Sequence, residues 1–471
     1  MFNKLYKWHN RIGLLIVIPI LGWCISGLTH PMMAHLFKIK PAERFLRSAP
    51  IQLDSTSISL AAALNKHKIA SFQNFRMVNF EGTTYYQIIQ TGKPSLYIHA
   101  TKNTLLEDGD QRYATYLARY FLGDSISAIK SISVLDRFTF EYKFINRLLP
   151  VYKVSFDRGD KMDVYVETNS SRLGTLNNST RKACIAIFSY LHNWSFLNDW
   201  PNAKLFLMLL FMGLSFFVAA SGLIIYGFLW KSFQTSKGGQ VDRSRKWHRR
   251  IGLMVSISTL AFAFSGAYHA LAKKSYASTQ TLKNNSFDAT IVANLPQLWT
   301  RLDGRLVKNI ALASFEGKTF YQVIWMDKAT EVGYFEVQNL APISRGEERY
   351  AIHLASKYSQ LPADKILSTT PIQQFGGEYG FINKRLPVAK VQYDTEEQHS
   401  IYVETSSGKL AANISSAKRW EALSFLILHK YHFLDPMGKK VRDAVIVVLI
   451  LGIMLVHILG LVLWLRRYNR G

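Results

Sequence analysis

Four long stretches of the chain contain no Asp, Glu, Lys or Arg. They cover residues 12–37, 205–230, 251–272 and 444–465. Each reaches or exceeds the ~20 apolar residues that a helix needs to cross a hydrocarbon layer of ~30 Å. The first stretch follows a basic start, as the core of a signal peptide would, but it is too long for one, and a near copy begins at Ile251. The pattern therefore predicts four membrane-spanning helices, the first of which is retained.

Basic residues flank three of the predicted helix ends. The segments 1–11, 231–250 and 466–471 are rich in Lys and Arg and contain a single acid, Asp242. The positive-inside rule places these segments in the cytoplasm, together with both termini. The long segments 38–204 and 273–443 are then extracytoplasmic domains. Because part of the formal net charge of +25 is explained by this topology, the charge does not indicate a nucleic-acid partner.

The two halves of the chain repeat one another. The first set of matches has an offset of 239: Lys7-Trp8-His9, Arg11-Ile12-Gly13-Leu14, Ser26-Gly27 and His30 with Lys246-Trp247-His248, Arg250-Ile251-Gly252-Leu253, Ser265-Gly266 and His269. A second set has an offset of 237: Arg112-Tyr113-Ala114 with Arg349-Tyr350-Ala351, Tyr165-Val166-Glu167-Thr168 with Tyr402-Val403-Glu404-Thr405, and His192 with His429. Since each half has two predicted crossings, duplication gives parallel tandem repeats related by a pseudo-twofold axis along the membrane normal.

Within both long segments, short alternating runs surround one helical pattern. The first is predicted to form strands at 83–89, 96–99, 151–156 and 163–167 and a helix at 111–121. The second is predicted to form strands at 319–325, 333–337, 389–393 and 400–404 and a helix at 347–358. Each segment is therefore predicted to be a small α+β module.

The order of these motifs resembles the PepSY-associated transmembrane family. The motifs that carry the resemblance are Trp-His and Arg-Ile-Gly-Leu before an apolar run, Tyr-Val-Glu-Thr in the outer domain, Leu191-His192 and Leu428-His429, and the closing Gly222-Leu223 and Gly460-Leu461. The resemblance implies an α-helical protein of the bacterial inner membrane with four transmembrane helices in two parallel repeats, each carrying an extracytoplasmic PepSY-like domain. Some members are haem proteins that reduce ferric siderophores for iron uptake, whereas isolated PepSY domains are associated with regulating peptidases.

Histidines near the ends of the predicted helices are the candidate haem ligands. Ionisable side chains at a membrane span usually have a partner, and His is a common axial ligand of haem iron. The candidates are His30, His269, His192, His429, His9 and His248, with His457 in second place. At the extracytoplasmic edge the first assignment pairs His30 with His269, and the competing one pairs His192 with His429. Mixed pairing of helix-one and helix-two ligands would instead give two outer haems at one level. At the cytoplasmic edge His9 pairs with His248, and His457 is the substitute for either.

The same residues also have ordinary structural explanations. Each histidine alone could be an interfacial imidazole bonded to water. Gly27 and Gly266 would let a flat macrocycle approach, or simply another helix. Arg147, Lys384 and Arg385 could attract an anionic chelate, or belong to a buried turn beneath the sheet. With two cysteines and no Cys-x-x-Cys-His motif, any haem is expected to be b-type.

The hypothesis is an electron carrier with two bis-His b haems that reduces Fe(III) in a siderophore or related chelate outside the cytoplasm. Two haems are expected because one macrocycle does not reach both edges of a ~30 Å layer. No glycine-rich nucleotide motif is present, so the electron donor is expected to be a quinol or a separate cytoplasmic reductase. The alternative is a non-redox PepSY sensor or peptidase regulator. A transporter is disfavoured by the small number of helices.

Overall fold

The computed structural model describes residues 2–47, 50–51, 57–234, 243–275, 286–302, 304–326 and 331–468. They form two compact units. The helical unit comprises Met1–Lys38, Thr180–Thr279 and Ala417–Gly471, and the sheet unit comprises Ile39–Ser179 and Gln280–Ser416. Each unit therefore contains residues from both halves of the sequence.

The helices include all four predicted apolar stretches. In chain order they are α1 (Phe2–Leu15), α2 (Val17–His35), α3 (Leu60–Lys66), α4 (Gly109–Leu122), α5 (Ser179–Ile187), α6 (Pro201–Gln234), α7 (Arg243–Ser275), α8 (Leu295–Arg301), α9 (Gly346–Ser359), α10 (Ser416–Ser424) and α11 (Lys439–Tyr468). By length and apolar composition, α2, α6, α7 and α11 can each cross a membrane. Helix α7 packs against α6 and α11, and α11 packs against α2.

The structure corrects the prediction for the first apolar stretch. It is not one helix, because α1 and α2 meet at Ile16. Pro19 has no N–H to donate to the carbonyl of Leu15, four residues earlier, and its ring crowds that carbonyl. The matching position in the second half is Ser258, and α7 is continuous there.

The helices extend past the predicted apolar windows, because charged residues end a window without ending a helix. Of the predicted cytoplasmic linker 231–250, the first four residues lie in α6 and the last eight in α7. Residues 235–242 of that linker, and 469–471 of the predicted tail, lie outside the described residues.

Most strands of the sheet unit form two similar sets. The strands are β1 (Ser71–Phe72), β2 (Asn74–Phe80), β3 (Thr83–Ile89), β4 (Leu96–His99), β5 (Ile129–Leu135), β6 (Val151–Phe156), β7 (Asp163–Glu167), β8 (Arg172–Asn177), β9 (Phe287–Asp288), β10 (Val307–Phe315), β11 (Lys318–Trp325), β12 (Val332–Glu336), β13 (Ile366–Ile372), β14 (Val388–Tyr393), β15 (Ser400–Glu404) and β16 (Lys409–Ile414). The predicted strands coincide with these to within one residue at each end.

Each half contributes one three-stranded and one four-stranded antiparallel sheet. The strand orders are β2-β3-β4 and β5-β6-β7-β8 in the first half, and β10-β11-β12 and β13-β14-β15-β16 in the second. Helix α4 packs on the first four-stranded sheet and α9 on the second. Alternating apolar side chains face these helices, which accounts for the period-two pattern of the sequence.

The two halves join directly within the sheet unit. Strands β1 and β9 pair with each other, and one apolar core contains residues of both three-stranded sheets. The Asn74 side chain bridges the sheet edges, since its amide donates to the Leu312 carbonyl at 3.0 Å and its oxygen accepts from the Leu312 N–H at 2.9 Å. The two predicted α+β modules therefore form one folded body.

The predicted limits of the extracytoplasmic domains differ from the limits of this unit. The prediction ended the domains at 204 and 443, whereas the sheet unit ends at Ser179 and Ser416. The chain after these points forms α5 and α10, each followed by a single π-helical turn, Phe188–His192 and Phe425–His429. These turns contact α2 and α7, so His192 and His429 belong to the helical unit.

Candidate cofactor site

Two histidine pairs lie in the helical unit, and each pair takes one residue from each half of the chain. The ring centroids of His192 and His429 are 6.2 Å apart, with an interplanar angle of 89°. The ring centroids of His9 and His248 are 6.4 Å apart, with an angle of 80°. The pairs are separated along the bundle, because His248 and Ser265, which contacts His429, are 17 residues or ~26 Å apart on α7.

The His192–His429 pair depends on the two π-helical turns. In each turn a backbone N–H bonds to the carbonyl five residues back, Asn193 to Phe188 at 3.2 Å and Lys430 to Phe425 at 3.1 Å. The wider turn ends on the histidine, and the phenylalanine that begins it stacks on the same imidazole, with centroids 4.5 Å apart in the first half and 4.6 Å in the second. Such π turns occur frequently at functional sites.

Serines on the facing helices hold these two rings. The Nδ1 atom of His192 lies 3.1 Å from the Ser26 hydroxyl of α2. The Nδ1 atom of His429 lies 3.1 Å from the Ser265 hydroxyl of α7. Both serines are buried. The two halves therefore fix their histidine by the same contact.

The His9–His248 pair has analogous contacts at other positions. The Nδ1 atom of His9 lies 2.9 Å from the Ser221 hydroxyl, and Nδ1 of His248 donates to the Val456 carbonyl at 3.0 Å. The rings rest on two glycines, because a Cβ added at Gly222 would lie 3.4 Å from Cε1 of His9 and one at Gly460 would lie 3.3 Å from Cε1 of His248. The closing Gly-Leu motifs thus mark the positions where the rings pack.

The other candidate histidines have different partners. The His269 Nδ1 pairs with Glu421, and its ring stacks on Phe425 at 4.5 Å. The ring centroids of His30 and Phe188 are 5.1 Å apart, in an edge-to-face arrangement. His457 donates from Nδ1 to the carbonyl of Ile453 in its own helix at 2.8 Å. The structure therefore pairs the rings of His192 and His429, while Phe188 contacts both His30 and His192 and Phe425 contacts both His269 and His429.

Gly27 and Gly266 pack against helices. A Cβ at Gly27 would lie 3.3 Å from Cδ1 of Ile450, and one at Gly266 would lie 3.4 Å from Sδ of Met212. The small residue at each position allows α11 and α6, respectively, to approach closely. The Ser-Gly motif was predicted to act through its glycine, but the serine makes the contact with the candidate ligand.

The three cations proposed to attract a chelate lie in the sheet unit and have separate roles. Arg385 is buried and bonds to Glu404 at 2.7 Å and to Glu167 at 3.3 Å. Burial alone would lower the pKa of Arg385, but the two carboxylates outweigh it and raise that pKa. Of the two roles considered for Arg385, attraction of a chelate and a place in a buried turn, the contacts favour the second, because its guanidinium is enclosed between two acids.

The remaining two cations lie beside 3₁₀ turns at Phe144–Asn146 and Phe381–Asn383. Lys384 donates to the Gly174 carbonyl at 2.9 Å, so it joins the two halves. Arg147 is exposed, with its guanidinium carbon 4.4 Å from the centre of the Phe144 ring. Both have positive φ angles at the end of their turns. Of the three cations, Arg147 is the most accessible to an anion.

The donor set can be tested against the cofactor that the sequence suggested. Among the described residues, no group of three or more His, Cys, Asp and Glu could hold a bare metal ion. Two imidazoles trans on one metal, with bonds of about 2.0–2.1 Å, have ring centres roughly 6.3 Å apart. Both pairs match this spacing, and the hydrogen bonds of all four rings in the described structure use Nδ1, which leaves Nε2 for a ligand. The residues fit a metal that brings its other ligands in a macrocycle.

The fold and the site define a membrane protein with four apolar helices, β-sheet regions and paired histidines at the helix ends. The sequence model of the PepSY-associated TM region matches residues 137–467, more than half of the chain. The chain therefore belongs to the PepSY-associated TM family. No curated protein matches its sequence.

Several residues of the site were not singled out by sequence reasoning. They are Ser26, Ser265, Ser221, Phe188, Phe425 and Glu421. For four of them the repeat held a usable signal, since Ser26 matches Ser265 and Phe188 matches Phe425 in the two halves. Ser221 and Glu421 have no identical match, and only the packed helices show what they contact.

Proposed function

We propose that this protein is an electron-transfer protein of the bacterial inner membrane that reduces Fe(III) in siderophores or related chelates on the extracytoplasmic side. The observation that carries the proposal is the presence of two cross-helix histidine pairs, each with a ring-centre distance that would let both imidazoles bind one metal. One b-type haem held by each pair would supply one-electron redox chemistry.

The residues of each pair would do three things for the cofactor. The imidazole Nε2 atoms would bind the iron. The Nδ1 contacts to Ser26, Ser265, Ser221 and the Val456 carbonyl would orient the rings. Phe188 and Phe425 would fix the ring planes and exclude water from the His192–His429 pair.

The arrangement of the pairs suits transfer across a membrane. With the topology predicted from the basic flanks, His9 and His248 lie at the cytoplasmic edge and His192 and His429 at the extracytoplasmic edge. Parallel repeats related by a pseudo-twofold axis would give each pair one ligand from each repeat. The ~26 Å separation along α7 approaches the ~30 Å thickness of the hydrocarbon layer.

The electron balance requires a donor that the chain does not supply. A quinol releases two electrons and two protons as it becomes a quinone, which reduces two Fe(III) to Fe(II), and a cytoplasmic reductase could supply the same electrons. We propose that the ferric chelate binds at the sheet unit, with exposed Arg147 as one contact for an anionic chelate.

Optical spectroscopy of the full chain purified in detergent tests the proposal. We expect a Soret band, a dithionite-reduced minus oxidised spectrum of b-type haem, and its reversal when a ferric chelate is added, with Fe(II) trapped by a colorimetric chelator. His67→Ala, a substitution in the sheet unit, is the control and should leave the spectrum unchanged. A chain that binds no haem after expression with added haem would contradict the proposal and favour the non-redox sensor or peptidase regulator.

A further inference from the structure

Three serine hydroxyls of the histidine pairs each lie between an imidazole and at least one backbone carbonyl, and each has a single proton to donate. Besides its histidine, Ser26 lies 2.9 Å from the Trp23 carbonyl and Ser221 lies 3.0 Å from the Val218 carbonyl. Ser265 lies 2.7 Å from the Ala261 carbonyl. A carbonyl can only accept, whereas a neutral imidazole nitrogen either donates or accepts.

Only one assignment of protons satisfies every contact. If the hydroxyl proton points to the helix carbonyl, the hydroxyl oxygen accepts from the imidazole and both hydrogen bonds form. If the imidazole accepts instead, the hydroxyl proton is used there and the contact with the carbonyl is lost. The fourth ring, His248, faces the Val456 carbonyl directly and can only donate.

We infer that Ser26, Ser265 and Ser221 are positioning residues that hold His192, His429 and His9 in the tautomer with the proton on Nδ1, so that the Nε2 lone pair is available to bind a metal. This inference rests on the proposed function for its consequence, which is control of the bound iron. Acceptors on the second imidazole nitrogen make the ligand more basic and stabilise the oxidised metal.

The acceptors differ between the pairs and predict an order of potentials. The His192–His429 pair has two hydroxyl acceptors that already donate to the backbone, and His192 also bonds to the Trp23 backbone. The His9–His248 pair has one hydroxyl and two backbone carbonyls, Val218 beside His9 and Val456 beside His248, and a carbonyl is the stronger acceptor. For this reason haem at the His9–His248 site has the lower reduction potential. Electron transfer from this site to the His192–His429 site is then favourable.

A potentiometric titration of the full-length haem protein, followed optically, tests the inference. Ser26→Ala and Ser265→Ala should each shift the higher-potential wave to more positive values and leave the other wave in place. Ser221→Ala should shift only the lower-potential wave. Ser26→Thr, which keeps the hydroxyl, should restore the original potential.

Ser215→Ala is the matched control, because the Ser215 hydroxyl donates to the Phe211 carbonyl at 2.7 Å on an apolar helix and contacts no histidine in the described structure. An alanine variant that loses its haem cannot be titrated, and the second measurement then uses the threonine variant. In its reduced, diamagnetic state the proton on the histidine Nδ1 should exchange slowly with solvent. Unshifted waves in all three alanine variants would overturn the inference while leaving the haem proposal intact. A wild-type chain without haem would instead refute the proposed function.

Discussion

The two halves of the chain hold His192 and His429 by the same contacts, but they hold His9 and His248 differently and differ at several other matched positions. Ser26 and Ser265, and likewise Phe188 and Phe425, make the same contacts in each half. By contrast, the matched positions 19 and 258, 148 and 385, and 184 and 421 hold Pro and Ser, Leu and Arg, and Cys and Glu. Because each pair needs one histidine from each half, loss of a histidine in either half breaks a whole site.

The largest expected effect comes from replacing one histidine of a pair, whichever half of the chain supplies that histidine. His192→Ala and His429→Ala should each remove about half of the bound haem and abolish reduction of a ferric chelate, although the residues lie in different halves. His9→Ala and His248→Ala should do the same to the other site and leave the first reducible by dithionite. Haem content by the pyridine haemochrome method and chelate reduction are the measurements.

His30→Ala and His269→Ala sharpen this comparison. These imidazoles contact the rings of Phe188 and Phe425, whereas His192 and His429 contact each other, so both variants should retain two haems. If they lose half of the haem while His192→Ala and His429→Ala lose none, the alternative pairing of His30 with His269 is correct.

The next largest effect concerns a buried charge cluster around Arg385. The matched position in the first half, Leu148, is uncharged. Arg385 lies between Glu167 and Glu404, whose other partners are Lys409 and Arg172, respectively. Arg385→Leu, which introduces the residue found at the matched position 148, leaves two buried carboxylates with fewer partners and should cost about 3 kcal/mol. Thermal unfolding in detergent measures it. Arg349→Leu, which removes an exposed pair with Glu316, is the control and should change little.

Substitutions at two glycines of α11 distinguish positioning of the His248 ring from packing of the helices. A Cβ at Gly452 would lie 2.7 Å from Cγ1 of Val255, so Gly452→Ala should destabilise the helical unit by about 1–3 kcal/mol without altering the haem spectrum. Gly460→Ala, where the Cβ meets His248 at 3.3 Å, should instead perturb the electron paramagnetic resonance signal of one haem. If Gly452→Ala altered the haem spectrum and Gly460→Ala left the electron paramagnetic resonance signal unchanged, His248 would not be a haem ligand.

The smallest effect is the acid response of the sheet unit. Burial opposes ionisation of Glu167, but Lys409 and Arg385 outweigh it and hold the pKa of this carboxyl below its ordinary value. Glu404 is similar, with Arg172 and Arg385 as its cations. Since both pKa values are lowered by folding, their contribution to stability is present above the unfolded value of about 4.3 and is lost as the pH falls below it.

The melting temperature followed from pH 7 to pH 3 should therefore be flat until about pH 5 and then fall. The fall should be shallower in Arg385→Leu, because one of the cations that lowers both pKa values is absent. An equally steep fall in the variant would show that other carboxylates control the acid response.

Sequence reasoning worked where a pattern is local and failed where geometry depends on packing. The strands at 83–89 and 163–167 follow from alternation alone, and the apolar helices follow from their length. The break at Ile16 had a local cause in Pro19 that the hydropathy pattern hides. The π turns that place His192 and His429 depend on contacts with α2 and α7, and the serine contacts join residues more than 160 positions apart in sequence, so no periodicity could indicate them.

The haem stoichiometry of the purified wild-type chain tests the central claim most directly. Pyridine haemochrome absorbance, divided by chain concentration from quantitative amino-acid analysis, should give two b-type haems per chain, because the structure provides two histidine pairs with the spacing of axial ligands. A value of zero after expression with added haem would contradict the account. A value of one would show that only one of the two pairs binds a cofactor, and the proposed route between the membrane edges would be wrong.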